Sequence, residues 1–270
     1  MIKKIFNAVW LVLVLLFMYL PILILAVYSF TDTATIGTSG NFSLDNYVTL
    51  FTTPELLEMI GGTFVLAIGS SVIATILGTL GAIGAFYSKK GMNNAITFAN
   101  QIPVVNADVV TGFSICVLMI VAMGVKKDTF IPLVAGHVVM SAPFVYLSVI
   151  PKLKQMNNNL YEAALDLGAS PAQALFKVVI PQIVPGIASG FLMAITLSLD
   201  DYFIATYTKP STFDTISTYV FNATKGSQTS IKTALWALST LIFVFIVAIV
   251  LISNLITSKK EVGKLAKNNI

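Results

Sequence analysis

Residues 8–30 run AVWLVLVLLFMYLPILILAVYSF, from Ala8 to Phe30 without one charged side chain. The hydrocarbon core of a bilayer takes about 20 consecutive apolar residues of α-helix to cross. Within that core every backbone N–H and C=O has to be paired inside the segment. A stretch so long and so apolar is a membrane span rather than the core helix of a soluble domain. Lys3 and Lys4 precede it, as in a secretory signal, but the run is too long for a signal core and no small-x-small cleavage site follows. It reads as a retained first span.

The rest of the chain has the same character. Over 270 residues the mean hydropathy is +0.87 and 10% of side chains are charged, which excludes an ordinary water-facing surface. Apolar windows without lysine or arginine near 8–30, 63–87, 102–125, 129–150, 186–207 and 234–257 predict six spans. The expected fold is thus an all-α integral membrane protein forming one transmembrane domain over residues 1–270. The net charge of +4 is carried by lysine alone. With both termini cytoplasmic, Lys3, Lys4, Lys89, Lys90, Lys152, Lys154, Lys177, Lys259, Lys260, Lys264 and Lys267 lie inside, and Lys126, Lys127, Lys209, Lys225 and Lys232 outside. That asymmetry satisfies the positive-inside rule, and the inverted topology would violate it. The one cysteine, Cys116, sits in an apolar span, so it forms no intramolecular disulfide and no metal site rests on it.

Two outer connections are long. In residues 31–62, Ser43-Leu44-Asp45-Asn46-Tyr47 reads as a capped short helix that lays Leu44, Tyr47 and Phe51 in the interface. Residues 208–233, rich in Ser, Thr and Gly, are expected to loop. Two spans carry small residues four apart, Ser70, Ala74, Gly78 and Ala82 in the second and Gly186, Gly190, Ala194 and Ser198 in the fifth. Such stripes let helix backbones approach closely in lipid, which predicts packed faces.

The longest inner connection, residues 151–185, carries the strongest local pattern. Leu160, Ala163, Ala164 and Leu167 recur at helical spacing and make one apolar face. Gly168 supplies the backbone freedom that ends a helix. Ser170 caps a second helix and Pro171 opens it at its first position. Pro181 and Pro185 are expected to stop that helix before the fifth span. Glu162 and Asp166, four apart, place two like charges on one side, at a cost of a few tenths of a kcal/mol. An acidic pair beside a compact apolar face suits docking into a cationic groove of another protein, whereas periodicity alone fits a solvated amphipathic helix equally well.

Glu162-Ala163-Ala164, then Gly168, then Ile180-Pro181 closely resembles the EAA loop of type I ABC importer permeases. Residues 191–201, Phe-Leu-Met-Ala-Ile-Thr-Leu-Ser-Leu-Asp-Asp, resemble the spermidine/putrescine branch of that family, in particular its second permease subunits. The resemblance extends over nearly the whole chain. It implies that 151–185 is a cytoplasmic coupling loop in which Glu162, Ala163, Ala164, Asp166 and Gly168 engage an ATPase. It also implies partners: ABC ATPase subunits, a second homologous permease and an extracytoplasmic polyamine-binding protein, in a bacterial cytoplasmic membrane. ATP and Mg2+ would sit on the ATPase, with no cofactor on this chain, which has no G-x-x-x-x-G-K-[ST] loop to cradle phosphates. Lipid is the other expected partner and nucleic acid is not one.

The spans contain Asp108, His137, Asp200 and Asp201 but no lysine or arginine. Unpaired intramembrane carboxylates are costly and mark a water-filled path or a partner, so Asp108, Asp200, Asp201 and Tyr202 are the candidate cation path. Asp200 lies about 21 Å along the fifth helix from Gly186, near the outer mouth. Asp201 shares the side of the small-residue stripe, and Asp200 points about 100° away, so at most one of the two faces the path. Tyr202 and Tyr207 offer cation–π faces to an amine, or plain interfacial anchors. His137 reads as a satisfied buried histidine with Asp108 as an available partner. The polyamine branch usually has Pro-Asp where this chain has Ala107-Asp108, which leaves the local backbone open. Another small cation or a metal chelate as cargo stays open too, as does an autonomous proton-coupled carrier using Asp108 and Asp201.

Overall fold

The computed structural model describes residues 2–33, 35–157, 159–225, 233–244 and 247. Twelve helices are named here in chain order: α1 (Ile2–Tyr28), α2 (Asp45–Thr52), α3 (Pro54–Tyr87), α4 (Lys90–Val105), α5 (Asp108–Val117), α6 (Ile131–Gln155), α7 (Asn159–Asp166), α8 (Pro171–Ala174), α9 (Ile180–Asp200), α10 (Phe203–Thr208), α11 (Ile216–Lys225) and α12 (Thr233–Val244). Among the described residues the one extended pairing is an isolated bridge between Thr31 and Phe42. α1, α3, α6 and the run Pro171–Asp200 are each long and apolar enough to cross a bilayer, and α4 with α5, bent by 108° at their junction, is apolar and long enough only when the two are taken together. α12 falls in the predicted sixth span, 234–257, whose remainder lies almost wholly outside the described residues.

Two compact units form, one from the residues up to Leu57 with those from Val220 onward, the other Glu58–Tyr219. In the first, α1 is apolar all round and its spanning window is fully exposed, as a helix solvated by lipid or a partner must be. Tyr28 meets Trp236 edge-on at 6.2 Å, and Asn46, buried on α2, donates to the carbonyls of Ser29 and Thr31. The predicted 43–47 helix is present one turn longer, as α2. Its Ser43 hydroxyl accepts from the Asp45 N–H, and Leu44 and Phe51 are exposed as expected.

The second unit is built on α3, α6 and α9. Both predicted stripes are buried: Ser70, Ala74, Gly78 and Ala82 on α3, Gly186, Gly190, Ala194 and Ser198 on α9. Both press on α6. A Cβ at Gly78 would sit 2.7 Å from the Ala142 carbonyl oxygen, and one at Gly190 would sit 3.0 Å from Val145 Cα. Without side chains at these points the backbones close on one another, and that packing joins helices where lipid supplies no hydrophobic force. Val145, Tyr146, Val149 and Leu153 of α6 fill the core between Ala82 and Ala85 of α3 and Val179, Ile183 and Ala194 of the α9 region.

Three expectations fail. The third span does not run straight over 102–125: it breaks at Asn106 and Ala107, and α4 adds a helix from Lys90. Pro181 and Pro185 do not end a helix, because α8 continues through a π-helical turn, Leu175–Val179, into α9. The wider turn re-registers the ladder, so Pro181 sits in the first turn of α9, where its missing N–H costs nothing. Residues 208–233 are not all loop, since α11 covers Ile216–Lys225; residues 226–232 lie outside the described residues.

Candidate functional site

At one end of this unit α7 presents the predicted docking element. Tyr161 packs on the α3–α6–α9 core, its ring 5.2 Å from that of Tyr87. The opposite side is open: Glu162, Ala163 and Asp166 are exposed, Leu160 is 45% and Leu167 90% exposed, and Ala164 is half-buried. Two large apolar side chains thus stand bared beside two carboxylates on this helix. The hinge after it forms as the sequence predicts. Gly168 takes φ +86°, its N–H donates to Leu165 O at 2.9 Å, and the Ala169 N–H donates to Ala164 O at 3.0 Å. These two bonds satisfy the last carbonyls of α7 in a Schellman arrangement. Ser170 Oγ then accepts from the Gln173 N–H while Gln173 Oε1 accepts from the Ser170 N–H, closing a capping box ahead of Pro171.

The acids gather where two helices break. Asp108 opens α5 directly after the α4–α5 bend, and Asp200 ends α9 directly before the α9–α10 break. α5 and α10 pack so closely that a Cβ at Gly112 would lie 2.9 Å from Ile204 Cα, and Phe113 meets Tyr207 edge-on at 6.0 Å. This contact brings Asp108 and Asp200 into the electrostatic neighbourhood of Asp201. Asp108 and Asp200 are exposed, whereas Asp201 is 8% exposed. Tyr202 is half-buried with its ring against Phe203.

Asp201 follows its stripe into the protein. Its carboxylate accepts from the Ile204 N–H at 3.1 Å and the Ala205 N–H at 2.7 Å, capping α10. His137 faces it: Nε2 lies 3.7 Å from Asp201 Oδ2, and Nδ1 lies 2.8 Å from Ser198 Oγ. The histidine is hydrogen-bonded at Nδ1 alone, so it is not the satisfied histidine expected, and the carboxylate beside its Nε2 belongs to Asp201 rather than to Asp108, which stands on the exposed side of the cluster. Sequence reasoning did not link His137, Ser198 and Ser70, whose hydroxyls lie 3.3 Å apart across α3 and α9. Both serines stand in the small-residue stripes, and a stripe member with a hydroxyl is the signal that could have shown it.

Ala107 answers the question left by the missing proline. Its φ of −66° and ψ of 137°, after Asn106 at −75° and 145°, are the angles a proline and its preceding residue adopt. The Asn106 side-chain amide donates to Thr111 Oγ1 at 3.0 Å and steadies the bend.

Several long apolar helices, one bent helix pair and an exposed amphipathic helix remote from the carboxylates describe a multi-pass membrane protein. The chain belongs to the family of binding-protein-dependent transport system inner membrane components, whose model matches residues 1–260. Members are the permease components of ABC importers. It is 30% identical over 225 residues to the putrescine transport system permease protein PotI of Escherichia coli (strain K12), covering 80% of each chain. It is 29% identical to the spermidine/putrescine transport system permease protein PotC of Haemophilus influenzae, over 91% of this chain and 93% of that one. Among solved structures, a bacterial alginate ABC transporter in complex with an alginate pentasaccharide-bound periplasmic protein superposes with a TM-score of 0.72 at 19% identity, over 92% of each chain. That likeness shows the importer permease fold.

Proposed function

We propose that this chain is a permease subunit that imports polyamines, with putrescine and spermidine as cargo, and that partner ATPases drive it through α7. The observation that carries the reading is the cluster of Asp108 and Asp200, two exposed carboxylates at paired helix breaks. Intramembrane acids without a basic partner suit a polycation, and relatives at 29–30% identity carry polyamine names. A second permease of similar fold would complete the path, and an extracytoplasmic binding protein would deliver the cargo. ATP and Mg2+ belong on the ATPases. The lysine distribution supports a bacterial cytoplasmic membrane with both termini inside. Residues 151–185 act as the coupling loop within a single permease domain.

ATP binding would close the ATPases on α7, and the run Pro171–Asp200 would carry that displacement to the acids. Alternating access of this kind moves packed helices as bodies about a fixed site. The test is uptake of labelled putrescine and spermidine by the reconstituted transporter, wild type against Asp108→Asn. The substitution should raise KM with the complex still assembled; unchanged kinetics would remove Asp108 from the path. Uptake by this chain alone under a proton gradient, with no ATPase present, would replace the reading by a secondary carrier.

A further inference from the structure

We propose that His137 is a positioning residue for transport: through its Nε2 it holds the Asp201 carboxylate, and through Asp201 it sets where Asp200 stands in the path. The inference rests on the function proposed above and goes one layer behind it, to a side chain that touches no cargo. Four observations converge. His137, Ser198 and Asp201 are 0%, 1% and 8% exposed, so the group is sealed inside the protein. Ser70 Oγ donates to the Leu66 carbonyl at 2.7 Å, and Ser198 Oγ lies 2.8 Å from His137 Nδ1. A carboxylate beside Nε2 calls for an N–H on that nitrogen, so Nδ1 is the acceptor and Ser198 the donor. Nε2 itself makes no hydrogen bond, although it is buried and stands 3.7 Å from Asp201 Oδ2.

A buried ring nitrogen left in this state is costly, and an apolar residue of the same volume would avoid the cost. The contact that removes it is the one with Asp201, which a displacement of under about 1 Å turns into a hydrogen bond. Asp201 in turn caps α10 through the Ile204 and Ala205 amides and is joined by one peptide to Asp200. His137 belongs to α6, the helix packed between the two small-residue stripes. That contact would tie the break between α9 and α10 to α6, which packs on both stripes. Asp200 cannot move far along the path while that tie is made.

The two ring nitrogens can be tested separately. Glutamine carries an amide nitrogen at the reach of Nε2, and asparagine carries one at the reach of Nδ1. In the assembled transporter, H137N should raise KM for putrescine about tenfold with Vmax and complex yield unchanged, and H137Q should stay within about twofold of wild type. S198A, which keeps the ring, should give an intermediate rise and decides the matter if H137N fails to assemble. The Ile204 and Ala205 amides should exchange faster in H137N than in H137Q, a readout independent of cargo. Equal KM values and equal exchange for H137N and H137Q would overturn the proposal, as would an S198A variant indistinguishable from wild type in both. A wild-type complex that takes up neither putrescine nor spermidine would instead sink the functional reading, with amide exchange still deciding the role of His137.

Discussion

Replacing Ala107 with proline should stabilise the permease and leave uptake intact. The backbone there already has φ −66°, and Asn106 before it is extended at ψ 145°, so the ring meets no steric penalty on either side. The Ala107 N–H makes no hydrogen bond among the described residues, so nothing is lost when it is removed. Its carbonyl accepts from the Thr111 N–H at 3.0 Å, and proline keeps that acceptor. What remains is the smaller entropy of the unfolded chain, about 0.4–1 kcal/mol for a proline in a compatible site. For a chain of this size that amounts to about 1–4 °C in the unfolding midpoint. Ala107→Gly acts through the same term with the opposite sign, so the two variants should bracket wild type. The assay is thermal unfolding of the purified protein in detergent beside putrescine uptake by the reconstituted complex. A proline variant less stable than wild type, or one with a raised KM, would show that the bend before Asp108 is not the one described here.

Further outcomes are expected elsewhere. Gly78→Ala forces a Cβ to 2.7 Å from a backbone oxygen of α6 and should cost about 1–3 kcal/mol, whereas Gly84→Ala, with nothing within 4 Å, should be neutral or gain up to about 1 kcal/mol of helix propensity; equal unfolding midpoints would refute the packing. Glu162→Lys should abolish uptake while the chain still inserts, because the docking face changes sign; normal uptake with normal ATPase copurification would contradict the role of α7. In the outer connection, hydrogen bonds from the Ser211 hydroxyl, and then its amide, hold the Asp128 carboxyl below the ordinary carboxylate range, with the Lys127 charge adding to them. A depressed value means the tie is complete above that range and is lost as pH falls through the folded value. The Ser211 amide resonance should therefore still report the contact at about pH 4 and lose it only below; release near neutrality would exclude it.

How far the sequence reached depended on the range of the forces involved. Four of the six spans were legible because lipid demands length and apolarity, both local properties of residues such as Ala8–Phe30. The α7 hinge was legible for the same reason, since Gly168, Ser170 and Pro171 each act within one turn of themselves. Pro181 misled because a proline ends a helix only where its missing N–H was needed, and the π-helical turn at Leu175–Val179 places it in the first turn of α9, whereas Pro185 lies inside α9, which continues through it. The break at Asn106 and Ala107 carries no proline or glycine to mark it, and the nearby Pro103 lies inside α4. His137 could not be paired from sequence, because its partners come from another helix, 61 residues on at Ser198.

The geometry that matters most for coupling is the uninterrupted run Pro171–Asp200. Thirty residues at 1.5 Å each make a rod of about 45 Å, with the α7 hinge at one end and the acid cluster at the other. Gly186 and Gly190 seat the middle of that rod against Ser148, Lys152 and Val145 of α6, so its contact with α6 can serve as a fulcrum. A tilt of about 5° about that fulcrum moves each end by about 2 Å in opposite directions, enough to break a hydrogen bond. Close-packed glycine contacts resist continuous deformation and favour two discrete seatings. If α7 is the coupling element proposed above, a push on it would shift Asp200 relative to Asp108 once the His137–Asp201 contact is released. Because the helix passes through its prolines, α8 and Asp200 are joined by continuous helical backbone, as the proposed coupling requires.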